Sequence, residues 1–385
     1  MAKYIYFYDR NEVLLDRYPA GISRILGRNL GDNIQFVFLY SERLIKGGTP
    51  QKLPENSIVI YQPFLKLDYL DKLTKQYPPA AFINIALRIP DVLLIGYFNR
   101  LYVPTYMVQH GLFVKYLTRI PFIKHISSKF VKFQKYFIYS LSISKMIGKP
   151  FFKTLKELYA CYIKGSKKFR ELETIKDSDL LSSKVFSFDT SWDSYYIDNY
   201  SYRKSQLIYF GNPDYTLIKE CLANPVQDAI CYICQSLVED GRYLKKDFLA
   251  FLNGMKKNLK GKKVYLKLHP RSDVELYRGL EDDNFVLTNA FENCDTYLGH
   301  YSSLLEISNQ LDRNVILWNL QGHEIPISYE KYGDLTTNNW GEVDNFLKNK
   351  KTSDFKIKEK VQEFLDMPLE PLDMIAERVR NDLNL

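Results

Sequence analysis

The stretch Ala229-Ile-Cys-Tyr-Ile-Cys-Gln-Ser-Leu-Val-Glu-Asp-Gly241 reads as a buried strand running into an acidic turn that ends on glycine. The residues beyond Gly241 continue it as an α/β unit. From about Arg242 to Leu259, the residues Leu244, Phe248, Leu252, Met255 and Leu259 recur at helical spacing. Gly261 stops that helix. Val264-Tyr-Leu-Lys-Leu268 is a second strand, closed by His269-Pro270. Later strands are Phe285-Val-Leu287, Thr296-Tyr-Leu-Gly299 and Val315-Ile-Leu-Trp318, and Ser302-Ser303 opens a helix through Leu311. Strands alternating with helices predict a parallel sheet.

The N-terminal half shows the same rhythm. Tyr4-Ile-Tyr-Phe-Tyr8, Ile34 to Tyr40 and Ser57-Ile-Val-Ile-Tyr61 read as strands, with helices at Arg17 to Leu30 and Leu67 to Gln76 between them. Thr105-Tyr-Met-Val108 leads into Gln109-His110-Gly111, and Lys184 to Asp189 and Gln206 to Gly211 are later strands. A linker is expected over Asn212 to Pro225, and a polar C-terminal helix after Ser353. The expected division is 1–225, with a basic aromatic helical insertion at about 113–170, then 226–350, then a C-terminal helix at 351–385. A chain of 385 residues suits two such cores.

The most apolar stretch, Ala80 to Phe98, is interrupted by Arg88, Pro90 and Asp91, so no membrane span is expected. The N-terminus lacks the apolar run of a signal peptide, so the protein is expected to stay in the cytoplasm. Five scattered cysteines do not make a disulfide framework, and Cys231-x-x-Cys234 has no second pair to complete a zinc site. The net charge of +8 is concentrated: Lys115 to Arg170 carries 14 Lys or Arg against the single acid Glu157. Bulky apolar residues lie between those lysines, which favours an anionic membrane surface over nucleic acid or a plain solvated face.

Three groups of residues carry chemistry. Glu239-Asp240-Gly241 follows a strand and precedes a helix, where a carboxylate serves as a general base or simply favours a helix start. His269-Pro270-Arg271 holds an imidazole and a cation at a strand end, suited to meeting a phosphate. Ser302-Ser303 caps a helix, and a helix start also binds phosphate. The acid motif lies 29 residues before His269, and Ser302 lies 33 after it. Each motif falls at the end of a successive strand, so they are expected around one crevice.

The order acid motif, His-Pro, Ser-Ser resembles the bacterial sialyltransferases, most nearly the lipooligosaccharide enzymes of glycosyltransferase family 52. The bacterial polysialyltransferases are a second relative. The likeness is specific over roughly residues 229 to 320. It implies a GT-B fold of two Rossmann-like domains facing a central cleft. It implies inverting, metal-independent and cofactor-free transfer of sialic acid from CMP-sialic acid to a surface glycan, with a lipid-linked acceptor at the inner face of the cytoplasmic membrane. In that mechanism Asp240 or Glu239 is the base and His269 the acid. Pro270, Arg271, Ser302, Ser303 and Gly241 hold the donor. The related enzymes also pair as dimers, so a homodimer is open. Gln109, His110 and Gly111 are candidate cleft or acceptor residues. A His-Gly at this place resembles the teichoic-acid-type polymerases that use CDP-glycerol. A CMP-Kdo or CDP-polyol donor therefore stays open, as does a non-catalytic basic protein that binds nucleic acid or membrane. Asp177-Ser178-Asp179 matches a metal-binding D-x-D, but it lies in a polar stretch and is expected to be a surface loop.

Overall fold

The computed structural model describes residues 3–11, 18–30, 34–42, 53–110, 126–164, 180–222, 224–239, 241–269, 271–322, 324–325, 327–350, 354–367 and 369–384. The chain forms two compact units. The described residues of Met1–His110, Ile123–Asn212 and Leu369–Leu385 make the first, and those of Pro213–Pro368 the second.

The first unit holds seven strands: β1 (Lys3–Asn11), β2 (Ile34–Glu42), β3 (Ser57–Tyr61), β4 (Pro79–Asn84), β5 (Thr105–Val108), β6 (Lys184–Ser187) and β7 (Leu207–Tyr209). They lie side by side in the order β3-β2-β1-β4-β5-β6-β7, and every neighbouring pair is parallel. The helices α1 (Tyr18–Leu30), α2 (Leu67–Gln76) and α3 (Ile89–Arg100) connect the early strands. α4 (Ile126–Ile147) and α5 (Phe151–Lys164) form a helical hairpin, and α6 (Asp193–Tyr200) precedes β7. Alternation along β1 serves both faces of the sheet. Tyr6 and Tyr8 enter a core with Leu70, Val92 and Phe98, while Ile5 and Phe7 enter a second core with Tyr18, Ile22 and Phe38. The abundant tyrosines fill these cores and reach polar groups with their hydroxyls. Tyr6 donates to the Tyr77 carbonyl at 2.6 Å, and Tyr8 pairs with Ser41 Oγ at 2.9 Å.

The second unit holds α7 (Thr216–Cys221), β8 (Pro225–Ile233), α8 (Lys245–Asn258), β9 (Lys263–Lys267), β10 (Phe285–Thr288), β11 (Asn293–Gly299), α9 (Ser303–Gln310), β12 (Asn314–Trp318), α10 (Ile327–Glu330), β13 (Leu335–Thr337), α11 (Trp340–Asn349) and α12 (Glu359–Leu365). Its six strands run parallel in the order β10-β9-β8-β11-β12-β13. In both sheets the chain builds outward from the first strand to one side and then restarts on the other. That is the doubly wound arrangement, with switch points between β1 and β4 and between β8 and β11.

Several elements differ from expectation. The span Asn212 to Pro225 is not an open linker. Pro213–Tyr215 is a 3-10 turn and α7 comes directly after it, with Tyr215 and Ile218 buried in the core of the second unit. The unit boundary therefore falls at Asn212/Pro213. The helix expected from Arg242 starts at Lys245. Leu244 stays outside as its N-cap residue and is 56% exposed, whereas Phe248, Leu252, Met255 and Leu259 are buried, in keeping with their spacing. The C-terminal segment is two helices, α12 and α13 (Pro371–Asp382), and α13 belongs to the first unit. There Ile375 and Val379 join the α1 core, and Tyr106 donates to Asp382 at 3.0 Å. Gly21 allows this packing, because a Cβ at that position would stand 2.6 Å from Leu372 Cδ1. No helix among the described residues is long and apolar enough to cross a membrane.

Candidate functional site

In a doubly wound sheet, ligands meet the loops at the C-terminal ends of the strands near the switch point. In the second unit those loops come after β8, β9 and β11. They carry Glu239, His269 and Ser302 respectively. Asp240 and Pro270 lie outside the described residues.

Two side chains of the central loop tie the three loops together. Glu239 Oε1 accepts the Asp273 backbone N–H at 2.7 Å, which fastens the loop after β8 to the loop after β9. Gln235 Oε1 accepts the Tyr301 N–H at 3.4 Å, which fastens it to the loop after β11. The acid motif closes on itself through Gly241 N–H to Val238 O at 3.0 Å, and Gly241 takes a φ of +66°.

The turn after β9 is built around His269. Its N–H donates to Ser272 Oγ at 3.1 Å, and the Ser272 N–H returns to the His269 carbonyl at 2.8 Å. The Arg271 N–H donates to His269 Nδ1 at 3.1 Å. A neutral imidazole accepting at Nδ1 carries its proton on Nε2, so the ring presents an N–H donor on the edge away from its own turn. Tyr277 lies nearby. Its pKa is raised by burial first, and also by the Glu239 carboxylate.

The loop after β11 is held as firmly. Ser302 is the N-cap of α9, and its Oγ accepts the Leu304 N–H at 3.3 Å. The Ser302 N–H donates to Tyr329 Oη at 2.8 Å, and Tyr329 donates to the Ser302 carbonyl. The Ser302 hydroxyl keeps its own proton for donation. Ser303 turns elsewhere: its Oγ donates to Asp214 Oδ2 at 2.7 Å, with Asp214 only 3% exposed. Ser303→Ala removes this charge-assisted bond from a buried carboxylate. It is expected to cost the second unit about 1.5–3 kcal/mol in a denaturant melt. His300, between the motifs, is a core residue. It bonds Tyr232 Oη at 2.9 Å and the Trp318 carbonyl at 3.0 Å and packs edge-on against Phe251.

Cys231 and Cys234 are buried and not disulfide-bonded. Burial pushes the Cys234 thiol well above its ordinary value, which keeps it protonated and inert as a nucleophile. Among the described residues no group of three or more His, Cys, Asp or Glu could hold a metal ion. Asp177 to Asp179 lies outside the described residues.

In the first unit, Gln109, a candidate cleft or acceptor residue, is held inside the sheet end. It is fully buried, and its Oε1 accepts from Phe188 N–H at 3.0 Å and Ser187 Oγ at 3.2 Å, fastening the end of β5 to β6. His110 stands next at the strand end, half-buried and edge-on to Tyr18 with ring centroids 5.2 Å apart. Gly111 lies outside the described residues.

The sequence reading missed a cluster at the switch point of the first sheet. Asp9, at the end of β1, and Asp91, in the first turn of α3, are both fully buried. Arg88 bridges them, with Nη1 to Asp9 Oδ1 at 3.0 Å and Nε to Asp91 Oδ2 at 2.7 Å. Its guanidinium also lies over the Tyr8 ring, 5.8 Å from the centroid. Burial works against the Arg88 charge, but the two carboxylates more than offset it and raise its pKa above the ordinary value. The available signal was an Arg-x-x-Asp spacing before a helix, which marks a cap; the partner Asp9 is 79 residues away.

No protein-family model matches the chain, and no curated protein matches it significantly. Solved structures do. The wall teichoic acid polymerase TagF is 12% identical, with a TM-score of 0.52 covering 99% of this chain and 89% of that one. UGT71G1 from Medicago truncatula, solved with UDP-glucose, is also 12% identical at a TM-score of 0.52, covering 100% of this chain and 99% of that one. The UDP-GlcNAc 2-epimerase from Methanocaldococcus jannaschii is 10% identical at a TM-score of 0.50, covering 100% of this chain and 99% of that one. Two parallel α/β sheets, each doubly wound, and these likenesses along the whole chain give the protein the GT-B fold.

Proposed function

We propose that the protein is an inverting glycosyltransferase that takes its donor as a cytidine nucleotide, CMP-sialic acid in the reading its motifs favour, and builds a surface glycan. The observation that carries this is the tethering of three loops at the switch point of the second sheet. One carries the Glu239 carboxylate, one an imidazole, and one a capped helix start. A binding module has no need of a carboxylate, an imidazole and a helix start on loops tied to one another.

The step is built from those groups. A carboxylate takes the proton of an acceptor hydroxyl. That oxygen bonds to the anomeric carbon as the bond from carbon to the CMP phosphate oxygen breaks, and the electron pair leaves with CMP. In this reading Glu239 is the tether, because Oε1 already holds the Asp273 N–H, and Asp240 is the base. His269 Nε2–H and the Ser302 hydroxyl meet the departing phosphate. Arg271 adds positive potential to the same turn.

A second reading, transfer from a CDP-polyol, rests on the likeness to TagF along the chain and on His110 at the end of β5. One experiment separates the two. CMP-sialic acid, CMP-Kdo and CDP-glycerol are each offered without acceptor, and nucleotide release is measured in the presence of EDTA. The expected result is release from CMP-sialic acid that survives the chelator. Release from CDP-glycerol alone would replace the first reading by the second. A loss that Mg²⁺ or Mn²⁺ restores would end the metal-free mechanism.

A further inference from the structure

The helical hairpin of the first unit departs from the rule that an outer helix face is polar. α4 buries Tyr139, Ile143 and Met146. On its outer face it exposes Phe133 (50%), Phe137 (41%) and Leu141 (38%), spaced four residues apart in a single row. α5 adds Phe152, 80% exposed, and Tyr159, 43% exposed. The two helices share this surface through aromatic contacts. Phe137 meets Phe151 at 4.9 Å between centroids, and Phe151 meets Phe152 at 5.2 Å. The hairpin's geometry is set locally. Gly148 takes a φ of +67° after α4, the Lys149 N–H returns to the Ser144 carbonyl at 3.2 Å, and the Ser144 hydroxyl caps the Lys149 carbonyl at 2.6 Å.

The charge around the aromatics has one sign. Between Phe133 and Tyr159 stand Lys135, Lys145, Lys149, Lys153 and Lys156 against the one acid Glu157. Lys145 continues the row of Phe133, Phe137 and Leu141, and it, Lys153 and Lys156 are exposed. Lys135 donates to the Ser41 carbonyl at 3.2 Å, which holds α4 to the end of β2. An apolar row flanked by lysines is complementary to a bilayer interface, where rings enter the acyl boundary and ammonium groups stay with anionic headgroups.

We infer that the α4–α5 hairpin docks the protein on an anionic lipid surface, with Phe133, Phe137, Leu141 and Phe152 entering the interface and the lysines pairing with headgroups. The hairpin lies on the bilayer and does not cross it. This stands independently of the proposed chemistry, because it rests on no residue of the second unit.

The test is co-sedimentation of the full chain with vesicles of phosphatidylcholine alone and of phosphatidylcholine with phosphatidylglycerol, at low and high salt. Wild type is expected to bind the anionic vesicles and to lose binding with salt, because exposed charges are screened beyond about 8–10 Å at physiological ionic strength. Phe137→Ser with Phe152→Ser is expected to weaken binding roughly tenfold or more, the scale for withdrawing large apolar side chains from an apolar phase. Lys145→Glu with Lys156→Glu is expected to weaken binding to anionic vesicles by a similar ~10-fold factor. The charge variant also serves if the serine variant fails to match the wild-type melting curve. Absence of wild-type binding at low salt, or equal binding by both variants, overturns the inference. So does a concentration-dependent dimer that Phe137→Ser with Phe152→Ser abolishes, because the row would then be a contact between two copies of the chain. Nucleotide release from the donor is expected to be unchanged in every variant.

Discussion

Replacing His269 with alanine is expected to lower kcat by roughly 10²–10³, the range for losing one positioned hydrogen-bond donor to developing charge. The expectation comes from how the turn holds the ring. The Arg271 N–H occupies Nδ1, so the Nε2–H is the donor the turn presents, and alanine removes it without a replacement. The turn itself survives, because two of its bonds run between main chain and Ser272, and the Arg271 N–H that loses Nδ1 is exposed to water. Stability therefore changes by no more than about 0.5 kcal/mol, as for a half-buried loop substitution. KM for the donor changes little, because the hydrogen bond strengthens only as charge develops on the leaving phosphate. The measurement is steady-state nucleotide release beside a thermal melt. A kcat within about threefold of wild type, with an unchanged melt, removes His269 from the mechanism. A fall in kcat with an equal collapse of the melt makes it a structural residue.

The parts of this site that were legible in the sequence are the local ones. Tyr4 to Tyr8 is a short run of aromatic and apolar residues and lies in β1, and the helix expected over Leu67 to Gln76 matches α2 end to end. The strand before Glu239 carried an apolar run and the strand before His269 alternated buried Val264 and Leu266 with half-buried neighbours, so the motifs at their ends could be placed. Elements without a period were not legible. α3 buries nine of its residues, from Ile89 to Phe98, so no polar face marks it as a helix. β4 begins Pro-Ala-Ala and merges with that apolar run. Contacts between distant residues carry no local sign. Ser303 and Asp214 are 89 residues apart, and α13 reaches α1 only through the tertiary fold. This is why a serine that looked like a phosphate ligand is turned onto a buried carboxylate instead.

Arg88→Met is expected to destabilise the first unit by about 3–5 kcal/mol, because it leaves two buried carboxylates without their cation. Asp9 and Asp91 are fully buried, and Arg88 is the group that reaches both, its side chain 31% exposed. Methionine keeps most of the volume and the apolar contact with the Tyr8 ring, so the loss comes from charge rather than from a cavity. Asp91 makes a further contribution as the residue that accepts the Arg88 N–H at 3.0 Å and caps α3. If the cost is electrostatic, adding Asp9→Asn to Arg88→Met recovers part of it, because one of the two stranded charges is removed. If the cost is packing, the two substitutions simply add. Hydrogen exchange gives the readout by region. Protection in β1 and β4 falls, while β8 and β11 in the second unit keep theirs. A loss below about 1 kcal/mol, or an equal loss of protection in both units, contradicts a locked switch point. The same cluster gives the two sheets different characters at corresponding places. At the first switch point the polar groups are buried and paired with one another. At the second, the loops after β11 and β9 carry the Ser302 hydroxyl and the His269 imidazole, and the proposed donor chemistry uses both as donors.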